Sequence, residues 1–176
     1  ISTRMLADVG EVGVRWEDLI EALPSLPLDQ YKTILEYLTS LRSAPLQSQD
    51  LALIWNALRK LISHHRSFHD AEWALPRERV DEFEVIFKRF EPQEPTARYG
   101  WLFDGMPELP EGREGNWEAH QEAVAATRCD ALHAIHAVGG IPAVLNLMER
   151  VKDPYVFGVA LGQSDLAGDQ DDELLQ

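Results

Sequence analysis

The stretch LALIWNALRKLISHHRSFHDAEW, residues 51–73, decides the fold. Leu51, Ile54, Trp55, Leu58, Leu61, Ile62, His65 and Phe68 recur every three or four positions, so they share one face of an α-helix. Ser48 or Asp50 offers a side-chain oxygen to the first free N–H groups. The same stretch brings His64, His65, His69 and Asp70 close together. It therefore also poses the functional question: metal ligands, an acid–base centre, or the polar end of a helix.

The helical period continues on both sides. Trp16, Leu19, Ile20 and Leu23 predict a weaker helix near the front, and Tyr31, Ile34, Leu35, Leu38 and Leu41 a second one behind Asp29 as its cap. Val80, Phe83, Ile86, Phe87 and Phe90 form the next stripe, with Pro76 suited to a first helical turn. Asn116 caps a long helix over 117–138, whose inner face includes Val124, Leu132, Ile135 and Val138. Ile141, Val144, Leu145, Met148 and Val151 follow on a shorter helix, and Asp153-Pro154 opens a last one carrying Tyr155, Val156, Val159 and Leu161. No sustained two-residue alternation and no hairpin signal is present. The expected fold is all-α, an irregular helical bundle or short α-solenoid of about seven to nine helices.

Residues 1–162 read as a single helical domain, with possible sub-layers 1–103 and 116–162 separated by the loop Asp104–Asn116. Residues 163–176 carry five acidic side chains and no basic one, the pattern of a frayed tail or of a lead into a further region. The chain begins at Ile1, and the expectation is a piece of a larger protein.

Composition narrows the function classes. Thirty acidic residues against 16 basic ones give a formal charge of −14, which repels phosphate backbones and anionic membrane surfaces. Cys129 is the sole cysteine, so no internal disulfide forms and Cys-based zinc ribbons are ruled out. No apolar run approaches the ~20 residues of a membrane helix. The expectation is a cytoplasmic chain without nucleic-acid or membrane partners and without a cofactor. Gly139-Gly140 lacks the spacing of a phosphate loop and reads as a helix stop.

One segment resembles a known repeat class. GGIPAVLNLMERVKDPYVFGVAL, Gly139–Leu161, is similar to the joint of armadillo and HEAT-type solenoids: a Gly-Gly-Ile-Pro entry, an apolar helix, then an Asp-Pro turn. The resemblance covers about 23 of the 176 residues, and the regular 40-residue spacing of those families is missing elsewhere. It implies stacked helices with a binding groove and no catalytic residue.

The histidine cluster admits two readings. On one continuous helix, His65 and His69 at i and i+4 can grip one metal ion, with Asp70 as an oxygen ligand. His120, His133 and His136 are the candidates for further ligands. His69-Asp70 also resembles the core of HD-type phosphohydrolases, but the separate upstream histidine of that family is missing, since His64 and His65 lie only five and four residues away. The other reading makes the cluster a helix C-terminus, where the dipole favours imidazole by about 0.3–1 kcal/mol. His65 then packs in the core with one nitrogen on a carbonyl, while Trp73 and Leu75 cover the corner.

Cys129 and His133 stand at i and i+4 as a thiol and a base, but no third partner can be named, and a small core hydrophobe is the plainer role. Trp73 and Trp101 fall near turns, where they can anchor a partner. The functional expectation is a non-catalytic helical interaction module of a larger multidomain protein, of the kind found in bacterial defence or signalling systems. It would bind a protein partner or a neighbouring domain. The alternatives are a metal-dependent hydrolase built on His65, His69 and Asp70, and a helical oligomerisation unit.

Overall fold

The computed structural model describes residues 28–41, 48–113 and 115–166. Among these the fold is all-α, with no strand. The elements are α1 (Leu28–Ser40), α2 (Ser48–Ser67), α3 (Arg77–Arg89), α4 (Pro95–Tyr99), a 3-10 turn (Gly100–Phe103), α5 (Trp117–Met148) and α6 (Pro154–Gln163). That is six α-helices, not the seven to nine expected. The front helix expected around Trp16–Leu23 lies outside the described residues. Two others, expected on either side of Gly139-Gly140, are joined end to end in α5, with Gly140 out of helical geometry between them.

The chain divides into two compact units. The first holds residues up to Pro92 together with Glu108–Arg113; the second holds Gln93–Pro107 and the chain from Glu114 onward.

The first unit is built on α1, α2 and α3. Tyr31, Ile34 and Leu38 line the inner face of α1, and Ile54, Leu58, Leu61 and Ile62 that of α2. Val80, Phe83, Ile86 and Phe87 come from α3. Trp55 and Phe87 stack at 5.0 Å with 18° between their planes. Pro76 is the residue before α3, not part of its first turn: its extended backbone (φ −53°, ψ 145°) takes the cap position without a side-chain bond. Its carbonyl accepts from the N–H groups of Arg79 and Val80.

The segment 108–113 is strapped onto α2. Arg59 Nη1 donates to the Glu108 carbonyl, and Arg66 Nη1 to the Pro110 carbonyl at 3.0 Å. Arg113 N–H donates to Ser67 Oγ at 2.8 Å, and Leu109 is buried. Gly112 sits at φ +82°, and a Cβ there would lie 2.7 Å from Arg66 Cβ. Only glycine combines that backbone with that approach.

The second unit centres on Phe103 and Phe157, tilted rings 4.8 Å apart and both fully buried. Val124, Leu132 and Ile135 of α5, Val144 and Leu147 beyond its bend, and Ala160 of α6 are also buried in this unit. Asn116 caps α5 by accepting from Ala119 N–H at 2.9 Å, and Asp153 caps α6 through Tyr155 and Val156 N–H. Arg128 ties the 3-10 turn to α5 by donating to the Leu102 and Gly105 carbonyls, both at 2.8 Å. Gly140, at φ +62° and ψ −163°, bends α5. The bend comes where the glycine pair predicts a stop; Pro142, which has no N–H to lose, starts the second arm.

One expectation about α5 changes. It contains an 18-residue window long and apolar enough, by length and composition, to cross a membrane, with 28% of it buried. Ala131–Met148 holds no Asp, Glu, Lys or Arg; the glycines, the proline and two histidines mask its apolar character when only runs of large apolar residues are sought.

The aromatic and histidine corner as candidate functional site

The corner forms because α2 ends at Ser67. From there the chain makes short turns, with Phe68 N–H on His64 O (3.2 Å), Ala71 N–H on Phe68 O (2.9 Å) and Ala74 N–H on Ala71 O (2.9 Å). His69 is therefore outside the helix, and the shared face expected for His65 and His69 does not exist. The His69 ring lies 3.3 Å from the Arg66 carbonyl and 3.4 Å from Asp70, and both side chains are largely in solvent.

His65 is in the core, 1% exposed. Its Nδ1 accepts from Leu75 N–H at 3.0 Å. The partner is a backbone N–H and not the expected carbonyl, which puts the ring proton on Nε2. That Nε2 is buried and has no hydrogen-bond partner among the described residues. Burial first, and the neighbouring His64 second, push His65 down to about 4, so it is neutral at pH 7. The bond from Leu75 pins the 68–75 turn to the end of α2, ten residues apart in sequence.

Around His65 lies an aromatic group. His64 stacks on Trp73 at 4.7 Å and 18°, Phe68 is tilted on His64 at 5.2 Å and on Trp73 at 5.8 Å, and His65 meets Trp73 at 5.7 Å. Leu75 is buried, while Trp73 is 40% and Phe68 51% exposed. Arg66 faces elsewhere: its guanidinium pairs with Asp81 and Glu84. Lys88 first, and Arg66 after it, hold the Glu84 carboxyl below the usual range.

The remaining candidates fall in the second unit. Trp101 donates its indole N–H to the Arg98 carbonyl at 2.8 Å and is half-buried. His120 is buried next to Trp117, and His136 is half-buried. His133 Nε2 lies 2.9 Å from the Ser164 carbonyl. A neutral imidazole on a carbonyl donates, which leaves Nδ1 as the acceptor of the His133 ring. Cys129 has its sulfur 4.0 Å from the Ala160 carbonyl, and burial, then Asp130 and Asp165, push its thiol up, opposite to the direction a thiolate nucleophile needs. Among the described residues no group of three or more His, Cys, Asp or Glu side chains is placed to hold a metal ion.

Two features escaped the sequence reading. The N–H partner of His65 comes from a position with no polar side chain to announce it. The strap 108–113 lies within the stretch read as a loop, and its one signal is Gly112. Comparisons with protein-family models, curated proteins and solved structures found no match.

Proposed function

We propose that this chain is a non-catalytic helical interaction module of a larger multidomain protein, and that the α2 corner is its recognition surface for a protein partner or neighbouring domain. The observation that carries the reading is the half-exposed pair Phe68 and Trp73 on a rigid base. The base is rigid because His65, fully buried, anchors Leu75 while Trp73 stacks on His64. Aromatic side chains already held in place lose little entropy on binding and are common anchors of interfaces. The armadillo and HEAT likeness of Gly139–Leu161 belongs to the same proposal, as stacked helices that present grooves.

The test is a double change, Phe68→Ala with Trp73→Ala. The partner recovered with the unaltered chain is purified and titrated against both forms. An affinity loss of about tenfold or more, as expected for central anchors, with an unchanged circular-dichroism spectrum, supports the reading. Equal affinity for both forms, or a stoichiometric transition metal in the purified protein that is lost in His65→Ala or His69→Ala, overturns it.

A further inference from the structure

The geometry points to an arginine-bearing segment of the partner protein as the occupant of the α2 corner. The inference rests on the corner being a docking surface and names what it reads. Three features there favour a cation. The corner is the C-terminal end of a 20-residue helix, where the peptide dipoles leave partial negative charge. Asp70 and Glu72, both exposed, flank Trp73 in the turn. Trp73, 40% exposed, offers the aromatic type with the strongest attraction for cations.

His64 stacks on Trp73 at 4.7 Å and takes one face of the indole, so the cation has to meet the remaining exposed surface of Trp73. The other basic groups nearby do not cancel the three features. Arg66 is engaged by Asp81 and Glu84. Of the two acidic residues His69 lies against Asp70, at 3.4 Å, and its other ring nitrogen is on the Arg66 carbonyl, which leaves Glu72. Arg77 and Glu78 at the start of α3 carry opposite charges. Arginine fits better than lysine, since a planar guanidinium can stack on an indole while its N–H groups reach a carboxylate.

A chain of formal charge −14 attracts any polycation, so the test must separate the corner from the bulk field. The probes are nona-arginine, nona-lysine and a neutral Gly-Ser peptide of equal length, titrated into the full chain at 150 mM salt. Binding is followed by the NMR signal of the Trp73 indole N–H, assigned with Trp73→Phe. Nona-arginine should move that signal and bind more tightly than nona-lysine. Trp73→Ala should weaken nona-arginine about two- to fivefold, the range of an exposed cation–π contact. Asp70→Asn with Glu72→Gln should weaken it about two- to threefold, as for solvent-exposed ion pairs. Glu118→Gln with Glu122→Gln, an equal loss of charge on α5, should change it less than either.

An unmoved Trp73 signal, equal affinity for the two polycations, or equal weakening by the α5 change overturns the inference. If a purified partner still depends on Phe68 and Trp73 in any of those cases, the docking surface survives and only its cationic occupant falls.

Discussion

α2 and α5 are both long helices rich in apolar residues, and they use them in opposite ways. On α2, Ile54, Leu58 and Ile62 have no exposed surface, and even Arg59, Ser63 and His65 are buried. On α5, Val138 is 87% exposed, and Leu145 and Met148 are also open. The difference lies in what each helix has on its flanks. α2 is covered by α3 and by the 108–113 strap, which its own arginines hold down. α5 meets α6 and the 3-10 turn through Arg128, Cys129 and His133, while Val138, Leu145 and Met148 stay open. Apolar content does not decide burial; a neighbouring element with matching polar clamps does.

The largest expected effect tests that contrast directly. Leu58→Ala removes a fully buried side chain from α2 and should cost about 2–5 kcal/mol, by lost transfer energy and the cavity left behind. Urea denaturation gives the number. A loss under about 1 kcal/mol would mean that the first unit collapses around the gap, and that α2 is not its rigid centre.

The next effect is set by pH. His65 lies at about 4 in the folded protein against the usual 6.5. Between those values the unfolded chain binds a proton that the folded chain refuses. Stability is therefore full above about 6.5, falls as the pH is lowered, and levels off below about 4. The expected loss is about 3 kcal/mol. Other groups titrate over part of this range, so the comparison is with His65→Asn, which keeps an acceptor for Leu75 N–H and cannot titrate. Its urea midpoint should be flatter between pH 7 and 4.5. Parallel curves would show that His65 accepts a proton without leaving its site.

Gly112→Ala comes third. At φ +82°, with a new Cβ 2.7 Å from Arg66 Cβ, it should cost about 1–3 kcal/mol. Gly105→Ala, at φ +43° but with open space around it, is the partner measurement and should cost less. Amide exchange at 108–113 should rise in the first variant and not in the second, because only there is the strap pushed off α2.

Local features were legible in the sequence, and long-range ones were not. Asn116 and Asp153 announce their helices because a cap bonds to N–H groups two or three positions away. The stripes Tyr31–Leu38, Ile54–Ile62 and Val80–Phe87 are readable because burial follows the helical period. That α2 ends near the histidine cluster is legible, but its last residue, Ser67, is not, since no glycine or proline marks it. A stripe continued past Ser67 puts His69 on the face of His65 and suggests a metal pair, and the turns after Ser67 remove it. The partner of His65 is ten residues on, and the partners of Arg59 and Arg66 are 49 and 44 residues on. No periodicity carries such pairings.

The smallest expected effect closes the contrast from the other side. Val138→Ala trims a side chain of the same class as Leu58, but one that is 87% exposed. A truncation at such a site should leave stability within about 0.5 kcal/mol. The measurement belongs in a dilution series, because an open apolar face on α5 is also where a second copy would sit. If the monomer has nothing on Val138, the variant and the unaltered chain unfold together at every concentration. If two copies meet there, the unaltered chain gains stability as concentration rises and the variant gains less. That concentration-dependent gap would make α5 a helix that buries its apolar side between molecules, as α2 does within one.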